Sequence, residues 1–100
     1  MNYSCQFHHL AQKDYDEAYQ WYELRKNGLG ERFIKEVRNT IDQITVQPET
    51  FGSRANKKFR EATVDFFPYV IVYRIDKQSR VIFVVSIHHT RKNPRKKYRT

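Results

Sequence analysis

Seven side chains in the second half of the sequence are of types that could work on a phosphate. Arg60, Arg74, Arg91 and Lys92 are cations able to hold phosphate oxygens, the arginines through two parallel hydrogen bonds. His88, His89 and Tyr98 are groups able to move a proton to or from a reacting hydroxyl. Together they are the ingredients of a nuclease that cleaves RNA through its 2′-hydroxyl. The run continues through Arg95, Lys96, Lys97 and Arg99, so it equally suits a grip on an acidic partner or a nucleic-acid backbone, or a solvated basic end.

Other chemistries find less support. There is no P-loop, no GxSxG elbow and no CxxC pair. Cys5, His8, His9, His88 and His89 are the thiol and imidazole metal ligands on offer. Neighbouring residues of a strand point to opposite faces, so His88 and His89 cannot both turn to one ion, and no His-x3-His helical spacing exists. The expectation is no metal and no cofactor.

The charge is unevenly placed. Residues 1–50 carry six Lys and Arg against eight Asp and Glu, whereas residues 51–100 carry thirteen against three. One half is therefore close to neutral and the other is at +10, which favours an acidic or polyanionic partner for the second half. Cys5 is the single cysteine, which fits a reducing compartment. The opening "MNYSCQFHHL" has neither a basic n-region nor a long apolar run, and no stretch has the length of a membrane-spanning helix. A soluble cytoplasmic protein with no membrane partner is expected.

The elements that must position these groups can be read from hydrophobic period. One hundred residues suit one domain, 1–100, with 90–100 as a basic extension. "YSCQF" alternates as a first strand. Ala11, Tyr15, Ala18 and Tyr22 then share one face of a helix from about Leu10 to Lys26, whose start lacks a favoured N-cap. "NGLG" ends it. Leu29, Phe33, Val37, Ile41 and Ile44 form the stripe of a second helix, stopped before Pro48. Period two returns in "FREATV", "YVIVYRI" and "RVIFVVSIHH", with "DKQS" as a hairpin turn. The predicted fold is α+β: an N-terminal strand and an antiparallel helical hairpin on one face of a mainly antiparallel four-stranded sheet, in the order β-α-α-β-β-β.

In the last two strands Tyr69, Ile71, Tyr73 and Ile75 alternate with Val70, Val72 and Arg74. Val81, Phe83, Val85 and Ile87 alternate with Ile82, Val84, Ser86 and His88. The helical hairpin covers only one face, and Tyr69 and Tyr73 fall on that face as packing aromatics. Strict alternation leaves Val70, Val72, Ile82 and Val84 as an exposed apolar strip beside basic residues, a candidate partner-binding surface unless the C-terminal tail folds over it.

The whole chain resembles the RelE/ParE superfamily, the toxins of bacterial type II toxin–antitoxin modules. The resemblance rests on "AQKDYDEAYQWYELRKNGLGERFIKEV" with its G-x-G-x-x-F turn, on Arg60 followed by "FPYVIVYRI", and on a final strand running into "HTRKNP". The H-x-R-x-x-P ending is similar to the ParE-like branch, the toxins of plasmid-stabilisation systems. It implies a growth-inhibiting toxin held silent by a cognate antitoxin with an acidic toxin-binding segment, for which Val70, Val72, Ile82 and Val84 are the expected contacts. A ParE-like toxin would inhibit DNA gyrase by binding, using Arg60, Arg74, Arg91, Lys92, Arg95, Lys96 and Lys97. A RelE-like toxin would instead cut messenger RNA on the ribosome without metal, with Arg60, Arg74 and Arg91 on phosphate and His89 or Tyr98 on the proton. An inactive homologue that only binds an antitoxin is the third possibility.

Overall fold

The computed structural model describes residues 2–98, and the Lys96 side chain lies outside that description, as do Arg99 and Thr100 of the basic extension. The elements follow the order β1 (Ser4–Phe7), α1 (His9–Arg25), α2 (Leu29–Val46), β2 (Ser53–Arg54), β3 (Arg60–Thr63), β4 (Tyr69–Asp76), β5 (Val81–His89) and a short 3-10 turn, Pro94–Lys96. One sheet has the order β1-β5-β4-β3-β2. Every pairing is antiparallel except β1 with β5, which the helical hairpin makes parallel by carrying the chain back across the sheet. The α+β architecture thus matches the expected one, with the two-residue β2 as a fifth strand that sequence alternation was too short to reveal.

Each helix is set by its stripe. Ala11, Ala18 and Tyr22 of α1 are buried, as are Phe33, Val37, Thr40 and Ile44 of α2, with Leu29 and Ile41 packed alongside. His8, expected to be a poor cap, does cap α1: its Nδ1 accepts the Leu10 N–H at 3.1 Å. The turn between the helices is clamped by Glu23, whose carboxylate accepts from the N–H groups of Gly28 and Gly30. Gly28 has φ +87°, and a Cβ on Gly30 would lie 2.6 Å from the Tyr19 carbonyl. The first glycine is needed for a left-handed backbone and the second for the close approach of α1 and α2.

Between the hairpin and the sheet lies an aromatic centre. The Phe33 ring sits 5.3 Å from Tyr22, 5.3 Å from Phe67 and 5.1 Å from Tyr69, mostly edge-on, the arrangement favoured by ring quadrupoles. Tyr73 is fully buried there and donates its hydroxyl hydrogen bond to the carbonyls of Pro48 and Phe51 at 2.9 and 2.7 Å, fastening the loop after α2 to the sheet. The "DKQS" turn forms as expected, with Asp76 accepting from Gln78 and Ser79 N–H and Arg80 at φ +56°.

Strict alternation fails once, and it matters. The β4–β5 register shifts between Val72 and Tyr73, so that Val72 faces Ser86 while Tyr73 faces Val84, leaving Val85 as the extra residue of a bulge. Ile82 and Val84 before the bulge, and Ile87 after it, all turn to the helices. Val85 joins Phe59, Val70 and Val72 on the opposite face. The expected strip of Val70, Val72, Ile82 and Val84 is therefore split between faces. None of it is exposed: Val70 is 7% accessible and the other three 0%. A one-residue bulge inverts the facing of everything beyond it, which a period-two reading cannot anticipate.

Candidate functional site

The second sheet face is closed by the C-terminal segment. Ser86 Oγ donates to the Lys97 carbonyl at 2.8 Å, Lys97 Nζ pairs with Glu61 at 2.9 Å, and the Tyr98 hydroxyl donates to the other Glu61 oxygen. The Tyr98 ring lies 5.3 Å from Phe59, over the cluster of Val70, Val72 and Val85. The hydrogen bond to Glu61 pushes the Tyr98 hydroxyl up to about 12, because ionising it would set two anions side by side. Tyr98, though 38% exposed, is thus a hard-to-ionise phenol rather than a ready base.

Arg60 opens β3 opposite Tyr73, with Nη2 3.5 Å from the Gly52 carbonyl. Its Nε is buried with no hydrogen-bond partner among the described residues. Burial pushes the Tyr73 hydroxyl up, and the neighbouring Arg60 guanidinium offsets part of that rise. Arg74 sits further along β4, its guanidinium 4.3 Å over the Phe83 ring. Five steps along the strand separate it from Tyr69, the partner of His89, a distance of about 17 Å.

The remaining sequence candidates do meet. At the end of β5 the His89 ring stands edge-on to Tyr69 at 5.1 Å, and its Nδ1 accepts the Arg91 N–H at 3.1 Å. Burial, then the nearby Tyr22 and Asp14, push the Tyr69 hydroxyl up to about 12. His88 points to the other side, with Nε2 3.2 Å from the Lys92 carbonyl. Arg91, Lys92 and Arg95 are exposed. His88, His89, Arg91 and Lys92 line a groove of about 1130 Å³ whose opposite wall is α1, with Leu10, Lys13 and Trp21.

This wall was not anticipated from sequence. Trp21 is 51% exposed and carries Arg25 stacked 4.1 Å over its ring. It lies off the Ala11–Tyr15–Ala18–Tyr22 stripe, and a tryptophan on the polar side of an amphipathic helix was the available signal.

The arrangement can grip an acidic or anionic surface through Lys13, Arg91 and Lys92 while offering aromatic and apolar area to a partner. The phosphate-holding and proton-moving candidates, by contrast, are spread over three places: Arg74 along the sheet, His89 in the groove and Tyr98 on the opposite face. Among the described residues no group of three or more His, Cys, Asp or Glu side chains is placed to hold a metal ion, and no helix is long and apolar enough to cross a membrane.

Comparison with known proteins places the chain. No curated protein matches it. Among solved structures it is similar to one described as a chromosomal ParDE toxin–antitoxin system from P. aeruginosa, at a TM-score of 0.74 and 16% identity over 87% of this chain and 95% of that one. It is also similar to a mutant of the E. coli toxin RelE in the free state, at a TM-score of 0.68 and 18% identity over 91% of this chain and 86% of that one. The same RelE mutant in complex with an antitoxin RelB peptide matches at a TM-score of 0.64 and 19% identity, over 87% of this chain and 82% of that one. At these identities the structures establish the shared fold. Residues 5–94 match the family described as the ParE toxin of type II toxin–antitoxin systems, parDE, and the chain belongs to that family.

Proposed function

We propose that the chain is a ParE-like toxin that acts by binding, with DNA gyrase as its target, and that a cognate antitoxin with an acidic toxin-binding segment silences it. The observation that carries binding over cutting is the dispersal of the nuclease candidates. Metal-independent cleavage of RNA needs a proton carrier and phosphate-holding cations around one reacting atom, within hydrogen-bond reach. Here Tyr98 is engaged with Glu61 on one sheet face, His89 stands against Tyr69 on the other, and Arg74 stacks on Phe83 further along. Binding needs no such convergence. The second half, at +10, with exposed Arg91, Lys92 and Arg95, supplies long-range attraction for an acidic partner.

One observation favours the second reading, a RelE-like messenger RNA endonuclease on the ribosome. His89, Arg91 and Lys92 do share a groove, so one proton carrier lies close to two cations. Expression of the chain in growing bacteria separates the readings. Binding to gyrase predicts arrested growth, relaxed plasmid DNA and intact messages. Cuts positioned by codon in translated messages, lost with His89→Ala or Tyr98→Ala, would replace it with the nuclease. Unaffected growth would leave an inactive homologue.

A further inference from the structure

Two basic stretches that lie far apart in the sequence are fastened side by side by the C-terminal segment. Residues 53–60 carry Arg54, Lys57, Lys58 and Arg60, and no Asp or Glu occurs between residues 50 and 60 or from residue 77 to the end. The tail brings Lys97, with Arg95 two residues before it, to the sheet face of Ser86 and Val72. There the Tyr98 ring lies 5.3 Å from Phe59, and Lys58 Nζ stands 5.5 Å over the Phe59 ring. Lys97 Nζ lies 5.7 Å over the Tyr98 ring and 2.9 Å from Glu61. A cation, two rings and a second cation thus follow one another across the join.

The loop between β2 and β3 is braced from within. Asn56 Oδ1 accepts the N–H groups of Lys58 and Phe59, and the Arg54 guanidinium donates to the carbonyls of Asn56 and Lys57. Arg54, Lys57, Lys58 and Arg95 are exposed and make no ion pair among the described residues. Glu61 is the carboxylate at the join, and Lys97 and Tyr98 both engage it. Arg60 turns to the other face, opposite Tyr73. The Lys97 carbonyl stands over Ser86 of β5 while its ammonium reaches Glu61 of β3, so the basic front spans two strand spacings, about 10 Å.

We propose that this front holds the phosphate backbone of duplex DNA without regard to sequence. Duplex DNA presents about one charge per 1.7 Å of axis, so a front of about 10 Å faces about six of them. An acidic protein fits less well. Protein interfaces are depleted in lysine at their centre and rich in exposed aromatic area, whereas here the apolar cluster is buried and the free groups are lysines and arginines. A single strand fits less well too, because such sites stack successive bases on several open rings. Phe59 is 5% accessible, and Tyr98 leans its ring on it. Asn56, the one side-chain amide of the loop, holds the loop itself, so the contacts are to backbone rather than to base edges. The inference rests on the function proposed above only for the source of the duplex, the DNA on which gyrase works.

The probe is a short fluorescent duplex, in two unrelated sequences, titrated with the purified full chain over a range of salt concentrations. Both sequences should bind alike, with affinity falling steeply as salt rises. Lys57→Gln with Lys58→Gln should flatten the slope of log affinity against log salt by about 0.9 for each lysine lost. Lys26→Gln with Lys35→Gln removes the same charge from exposed positions on the helical hairpin and should leave that slope in place. Tyr98→Ala removes no charge, yet it unfastens the tail from the loop and should weaken binding several-fold. The proposal is overturned if neither duplex binds at low salt, if the two lysine pairs flatten the slope alike, or if Tyr98→Ala binds as the native chain does. It is equally overturned if single-stranded RNA or polyglutamate, at equal charge, competes as well as unlabelled duplex. Gyrase supercoiling measured separately keeps the two readings apart. Duplex binding by a chain that leaves supercoiling intact sinks gyrase as the target alone, whereas failed supercoiling without duplex binding sinks this site alone.

Discussion

The two faces of the sheet are sealed by different physics. Under the helical hairpin, large rings interlock: Phe33 touches Tyr22, Phe67 and Tyr69, while Val37 and Ile44 are fully buried beside Ile71 and Ile82. The opposite face holds four buried apolar residues, Phe59, Val70, Val72 and Val85, under a short tail fastened by polar contacts from Ser86 and Glu61. Close packing over a large area is costly to undo, whereas a few contacts near the surface open at low free energy. The fold is therefore held from one side and lightly covered on the other.

The comparison breaks first, if it is wrong, at Phe33. Phe33→Ala should cost about 3–5 kcal/mol in denaturant unfolding, because a fully buried ring leaves a cavity among fixed neighbours. A cost no larger than that of losing the tail would mean that both faces carry the fold alike. Gly30→Ala comes next, at about 1–3 kcal/mol, since its Cβ would meet backbone 2.6 Å away at Tyr19 O and the helices must move apart. Tyr98→Ala should cost less, about 1 kcal/mol or below, yet raise the binding of a hydrophobic dye as the Phe59 cluster is uncovered. A large loss of stability with no dye binding would make the tail part of the core.

The smallest effect is in pH. The folded pKa of Tyr98, about 12, lies above its usual 10, so the folded chain holds that proton more tightly than the unfolded one. Its contribution is present below about pH 10 and is lost as pH rises toward about 12. Tyr22, Tyr69 and Tyr73, raised chiefly by burial, act with the same sign. The Tyr98 share is thus the difference in stability slope between the native chain and Tyr98→Phe, and equal slopes would show that Glu61 does not hold the phenol.

The same contrast explains what was legible in the sequence. Both helices, the glycine turn and four of the five strands follow from periods of 3.6 and 2, because burial of one face imposes them directly. The ParE resemblance in "HTRKNP" was equally readable. The bulge at Val85 was not, since one extra residue leaves no compositional trace, and it carried the expected strip with Ile82 and Val84 into the core. The capping by His8 was missed because imidazole is an unusual acceptor there. For the candidate site, the basic run named Arg91 and Lys92, but their meeting with Lys13 and Trp21 depends on how α1 crosses β5, a long-range contact with no local signal. Arg60, Arg74, His89 and Tyr98 could be chosen by type. Their separation required coordinates.

The central claim, a toxin that binds rather than cuts, is tested most directly by one paired assay with purified chain. Gyrase supercoiling and messenger integrity in a translating extract are followed at the same toxin concentrations. The account predicts that supercoiling fails while messages stay whole. Messages cut at codon boundaries with gyrase unaffected would contradict it.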